Sequence, residues 1–124
     1  MGIVTFTRAQ RKGAHVIITL YGESGSGKTL SAIMLARGLV GAEGKLAVLD
    51  TEAGRALIYA NVTAFDHAEL TPPFSPDRYC LAIKDAESAG YQALVIDQAS
   101  SAWEGLGGIL EQAEAGKNQK GEAL

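Results

Sequence analysis

The sequence predicts an α/β fold in which a mostly parallel sheet is covered by helices on both faces. Three observations carry that expectation. The runs HVIITLY (15–21), KLAVLD (45–50) and ALVID (93–97) are compact, β-rich and continuous rather than alternating, as strands buried on both faces read. Stretches with helical spacing separate them, the layout of βαβ units. The acids Asp50, Glu52 and Asp97 fall at the ends of two of these runs, and sheets of this kind bind ligands at the carboxyl ends of their strands.

Taken in order, the first dozen residues are mixed, with a short strand expected around Ile3 to Phe6. His15 to Tyr21 is expected as a buried strand, followed at once by a Gly-rich loop and a helix from Lys28 to about Leu39. Leu30, Ile33, Met34 and Arg37 fall on one side of that helix, and Gly38 and Gly41 supply stops. Lys45 to Asp50 is the second strand, and Glu52 to Ala60 a short helix. Phe65 to Leu70 is a weaker strand, interrupted by Asp66 and His67. Ser75-Pro76-Asp77 starts a helix with a Ser cap, Pro at the first helical position and an acid near the positive end of the dipole. Tyr79, Ala82, Ile83 and Ala86 line one face of it, and Gly90 ends it. Ala93 to Asp97 is the next strand, and Ile109 to Ala115 a further helix that runs into a polar tail over 112–124. The expected domain organisation is one domain over 1–124.

Composition narrows the function classes. A length of 124 residues supports one modest core and not two. The net charge of −3 argues against strong non-specific attraction to nucleic acid, which needs Lys and Arg in excess. The single cysteine, Cys80, leaves no internal disulfide and fits a reducing compartment. No apolar run approaches the roughly eighteen residues of a membrane span, so no membrane partner and a cytoplasmic location are expected.

The segment GESGSGKT matches the phosphate-loop pattern GxxxxGK[ST] in full through Gly22, Gly27, Lys28 and Thr29. Its glycines, Gly25 among them, let the backbone turn with positive φ and approach phosphate oxygens without a Cβ in the way. The N–H groups around Gly25 to Thr29 and the positive end of the following helix face the same anion. Lys28 reaches toward the β- and γ-phosphates, and the Thr29 hydroxyl suits Mg²⁺. The expected nucleotide-binding set is therefore Gly22, Glu23, Ser24, Gly25, Ser26, Gly27, Lys28, Thr29 and Leu30. The competing dinucleotide fingerprint GxGxxG fails, because Leu30 stands where its third glycine belongs.

An apolar strand closing on Asp97 has the form of a Walker B strand, so Asp97 joins Thr29 as an expected ligand of Mg²⁺, usually through a water. Glu52 is the candidate that orients or deprotonates an attacking water, with Lys28 the second catalytic candidate. Asp50 matches the ribose-binding acid of dinucleotide folds only in position, since the fingerprint is missing. His15 and His67 lack metal-ligand spacing and are expected to satisfy local hydrogen bonds. Trp103 is expected to pack, and Ser100 and Ser101 have no neighbouring His that would suggest a nucleophile.

With YGESGSGKT, VLDTEAGRA, TPPFSPDRY and ALVIDQASSAW in this order, the chain resembles the RecA-like P-loop ATPases, and among them small phage- and prophage-encoded nucleotide-binding ATPases. The resemblance runs from about Leu20 to Trp103. It implies a three-layer α-β-α P-loop fold and a catalytic glutamate after the second strand, the position of Glu52. The AAA+ subgroup instead carries that glutamate directly after the Walker B aspartate, where this chain has Gln98. RecA-like cores continue past Walker B with further strands, one of which lies between the two Walker strands, the Walker A strand that leads into the phosphate loop (15–21) and the Walker B strand that ends at Asp97 (93–97). The expectation is a RecA-like core lacking those C-terminal strands, with the two Walker strands paired directly or the gap filled by a partner.

The resemblance implies an ATP-binding, Mg²⁺-dependent hydrolytic domain coupled to phage recombination or DNA metabolism, in the host cytoplasm. Its implied partners are a nucleotide, DNA or a recombination or replication protein, and further copies of the chain. Two alternatives stay open: a nucleotide-binding subunit that does not hydrolyse alone, and a small-molecule phosphotransferase.

Overall fold

The computed structural model describes residues 2–10, 15–23 and 26–115. Its centre is a parallel sheet in the order β2-β1-β3, made of β1 (Leu46–Asp50), β2 (Asp66–Glu69) and β3 (Ala93–Asp97). Helix α1 (Lys28–Val40) precedes β1, and a 3-10 turn (Arg55–Tyr59) follows it. Helix α2 (Pro76–Ser88) links β2 to β3, and the short helices α3 (Ser101–Glu104) and α4 (Ile109–Ala115) come after β3.

Every residue of β1 is buried, as its uninterrupted LAVLD predicts for a central strand covered on both sides. Side chains alternate, so the strand feeds two cores. Leu46 and Val48 join Ile33 and Ala36 of α1, Ala56 of the 3-10 turn and Val95 of β3. Leu49 joins Leu70 and Tyr79 on the opposite face, with Phe74, Ala82, Leu94 and Ile96 packed around them. The result is the predicted α/β architecture: an open three-stranded parallel sheet between helical layers.

Helix signals in the sequence act where expected. Ser75 caps α2, its Oγ accepting from the Arg78 N–H at 3.4 Å, with Pro76 in the first turn. Gly41 ends α1 with φ of 82°, and its N–H donates to the Arg37 carbonyl at 2.9 Å. Arg37 then staples two turns to the end of α1: its guanidinium donates to the Gly41 carbonyl at 2.8 Å, the Gly44 carbonyl at 2.7 Å, the Thr63 hydroxyl at 3.0 Å and the Ala64 carbonyl.

Three expectations are corrected. His15 to Tyr21 is not a strand: those residues are exposed and irregular, as are Ile3 to Phe6. β-propensity expresses itself only where a neighbour accepts and donates the ladder hydrogen bonds, and no described residue pairs with the outer edge of β3. The two Walker strands are therefore not paired directly. On α1 the inward residues are Ile33 and Ala36, while Met34 remains 48% exposed and Leu30 36% exposed. The helix lies over β1 and β3, and with residues 15–21 outside the sheet no described strand extends beneath its flank. On α2, Tyr79, Ala82 and Ala86 turn inward but Ile83 does not.

One charged residue sits in the core. Asp50 has no solvent exposure, and its carboxylate accepts from the Glu52 N–H at 2.7 Å, the Ala56 N–H at 3.0 Å and His67 Nε2 at 3.0 Å. With a carboxylate as acceptor, that ring nitrogen carries the hydrogen. Burial pushes the Asp50 pKa up, but the bonds from His67, Ala56 and Glu52 outweigh it and hold the group below the usual aspartate value.

Two measurements check this packing. By urea denaturation, Ile33→Ala should cost about 3 kcal/mol of stability, whereas Met34→Ala should cost less than about 1 kcal/mol. Asp50→Asn should lower the melting temperature near neutral pH. Because the folded pKa is depressed, the ionised carboxylate stabilises fully above its unfolded pKa, and the gap between the two proteins should close as the pH falls below about 4.

Candidate nucleotide-binding site

The register of the sheet brings the site together. Asp50 pairs with Asp97 across β1 and β3, so the carboxyl ends of both strands finish side by side. Alternation turns Asp50, like Leu46 and Val48, and Asp97, like Val95, toward the face covered by α1. Helix α1 begins at Lys28 over that same edge. The Thr29 hydroxyl donates to Asp97 Oδ2 at 3.0 Å, joining two residues far apart in sequence.

The phosphate loop reaches α1 through Gly27, whose φ of 87° lies in the left-handed region that glycine adopts without strain. Before it, the Ser26 N–H donates to the Glu23 carbonyl at 3.1 Å. Gly22 is crowded: a Cβ there would lie 2.9 Å from Ser26 Oγ. Lys28 Nζ donates to the Gly22 carbonyl at 2.6 Å, so the lysine folds back over its own loop. Leu30 lies in the first turn of α1. Ser24 and Gly25 are outside the described residues.

Glu52 follows β1 by two residues, and its side chain remains 28% exposed, with Arg55 at 3.5 Å as its charged neighbour. A contact of that length to an exposed guanidinium restrains it little. Its backbone is held more firmly. On one side the Glu52 N–H donates to Asp50 Oδ1. On the other the preceding residue, Thr51, is tied to the end of β3: its N–H donates to the Asp97 carbonyl at 2.8 Å, and its hydroxyl accepts from the Gln98 N–H at 3.0 Å. The loop continues through Gly54, whose φ is 84° and where a Cβ would stand 3.0 Å from Glu69 Oε1.

Beneath Gln98 lies a small polar network. The Tyr79 hydroxyl donates to the Gln98 carbonyl at 3.0 Å, and the Thr51 and Ser101 hydroxyls are 3.2 Å apart. Burial raises the Tyr79 pKa, with the hydroxyls of Ser101 and Thr51 opposing that rise.

The structure thus gathers Thr29, Lys28 and Asp97 at one edge with the loop that bears Glu52. Asp50 is no ribose ligand here, since the core encloses it and three donors take its oxygens. His67 makes its hydrogen bond to Asp50 on the adjacent strand. Trp103, expected to pack, is 53% exposed on α3. Sequence reasoning passed over Thr51 and Gln98, although Thr51, wedged between two acids at a strand end, was the available signal.

Among the described residues, no group of three or more His, Cys, Asp and Glu side chains is placed to hold a metal ion by itself. Nor is any helix there long and apolar enough to cross a membrane. Searches found no match among curated proteins and none among solved structures. The profile of a protein family described as AAA domain, however, matches residues 14–123. That match takes in the phosphate loop, all three strands and the loop carrying Glu52, and the chain belongs to this AAA-domain family of nucleotide-binding P-loop ATPases.

Proposed function

We propose that residues 1–124 form a single nucleotide-binding domain of a RecA-like ATPase, which binds ATP with Mg²⁺ and hydrolyses it. The observation that carries this reading is the hydrogen bond from Thr29 Oγ1 to Asp97 Oδ2. It sets a hydroxyl and a carboxylate oxygen 3.0 Å apart at the mouth of the phosphate loop, a pair of hard donors suited to Mg²⁺. Bound there with the nucleotide, the ion would neutralise charge on the phosphates.

The remaining steps belong to the chain's own groups. Backbone N–H groups of the loop and the start of α1 bind the phosphates. Lys28 exchanges the Gly22 carbonyl for phosphate oxygens. Glu52, with a partly exposed carboxylate on a tethered backbone, orients a water and takes its proton as the water attacks the terminal phosphorus, while the bond from that phosphorus to the β–γ bridging oxygen breaks and ADP leaves. The position of Glu52 after β1, with Gln98 rather than an acid directly after Asp97, favours the RecA-like arrangement over the AAA+ one. Coupling to phage recombination or DNA metabolism, a DNA or protein partner and a host-cytoplasmic setting rest on the resemblance alone.

A second reading, a nucleotide-binding subunit that hydrolyses only with a partner, is favoured by the outer edge of β3, which no described residue covers. The phosphotransferase reading expects residues 15–21 beside 93–97, and that pairing is not among those of the sheet.

Nucleotide titration and phosphate release test the proposal. Lys28→Ala should weaken ATP binding by about a hundredfold or more. Glu52→Gln should keep the wild-type Kd for ATP while lowering kcat by about a hundredfold or more. Undiminished turnover in Glu52→Gln would remove Glu52 from the chemistry. Tight binding without turnover by the wild type, restored on adding DNA or a partner, would favour the second reading.

A further inference from the structure

We propose that the buried Asp50–His67 pair is a positioning device for Glu52: Asp50 holds the backbone of the loop that carries Glu52, and His67 holds Asp50. The inference rests on the hydrolytic reading above and adds two positioning residues to it.

A fully buried carboxylate is costly unless every lone pair finds a donor, and well-packed apolar residues usually stabilise such a place better. Asp50 ends a strand whose other four residues are Leu, Ala, Val and Leu, so a fifth apolar residue would continue the core. What the carboxylate does instead is specific. Oδ1 takes the N–H of Glu52, and Oδ2 takes the N–H of Ala56 at the far end of the same loop. One side chain therefore fixes both ends of residues 52–56, including the left-handed turn at Gly54.

His67 comes from the neighbouring strand, where the parallel register pairs it with Val48 on the face that Asp50 also occupies. Its Nε2 closes the remaining side of Oδ2 at 3.0 Å, and its side chain is itself only 14% exposed. The Asp50 carboxylate is thereby locked in one rotamer. Glu52 inherits that lock through its backbone, while its own carboxylate stays open to solvent and substrate. A displacement near 1 Å at a reacting group costs about a hundredfold in rate, so restraint of this backbone bears on turnover and not on phosphate binding.

The experiment uses purified full-length protein and compares wild type, Glu52→Gln, Asp50→Asn, His67→Leu and His67→Gln. ATP affinity is followed by titration, and kcat and KM by phosphate release. Gln places an amide N–H where His67 Nε2 lies, whereas Leu supplies no donor. His67→Leu and Asp50→Asn should lower kcat about tenfold or more while Kd and KM stay within about twofold. His67→Gln should restore kcat to within about threefold of wild type. If Glu52→Gln abolishes turnover but His67→Leu and Asp50→Asn turn over as wild type does, the positioning role falls and the hydrolytic reading stands. If the wild type does not hydrolyse ATP, or Glu52→Gln hydrolyses it normally, both fall together. Should His67→Leu and Asp50→Asn fail to fold, His67→Asn, whose amide is too short to reach, replaces them. Equal kcat in His67→Asn and His67→Gln then overturns the proposal.

Discussion

The parallel pairing of β1 with β3 sets almost everything else in this molecule. It buries β1 on both faces, so that each alternate side chain belongs to a different core. It also places Asp50 opposite Asp97, and with them the two strand ends from which the site is built. A slip of one residue would turn Asp97 to the α2 face and separate it from Thr29. The backbone bond from the Thr51 N–H to the Asp97 carbonyl extends the ladder one residue past the strand and guards that register where it matters.

From that edge, two kinds of restraint spread outward. Besides the apolar packing of Ile33 and Ala36 near Val95, the side-chain hydrogen bond that joins α1 to β3 among the described residues is Thr29 to Asp97, at the edge where a nucleotide would sit. The Glu52 loop is held instead by the buried Asp50 below it and the half-buried Thr51 beside it. On the proposed hydrolytic reading, binding and chemistry draw on separate supports within one short edge. Tyr79 joins the second of these supports to α2 through the Gln98 carbonyl, so a helix on the far face shares in it.

Much of this was legible in the sequence because the signals are local. GESGSGKT declares its own loop and helix, LAVLD and ALVID declare strands (the first buried throughout, the second only at Val95), and Ser75-Pro76-Asp77 declares a helix start. HVIITLY carries an equally strong β signal, yet it is exposed and irregular, because a strand needs a neighbour and composition cannot supply one. Helical spacing puts Leu30, Ile33, Met34 and Arg37 on one side of α1, but which residues turn inward, here Ile33 and Ala36, depends on how wide the sheet beneath is. The Asp50–His67 bond spans 17 positions and depends on the register of β1 with β2, which no short window reveals. The weak alternation of FDHAEL gave little hint that its histidine would face the core.

The Arg37 staple has a consequence for how stiffness is distributed. Its guanidinium gathers the turns at the amino ends of β1 and β2, while Lys45 donates to the Ala89 carbonyl and lies 4.8 Å over the Tyr91 ring where β3 begins. These charge-assisted bonds anchor the pole of the sheet opposite the phosphate loop. The protein is therefore built as a cantilever, clamped at the remote end and supported near the nucleotide by hydroxyls, amides and one buried carboxylate. On the hydrolytic reading, small adjustments at the working end would follow the nucleotide while the clamped end keeps the strands in order.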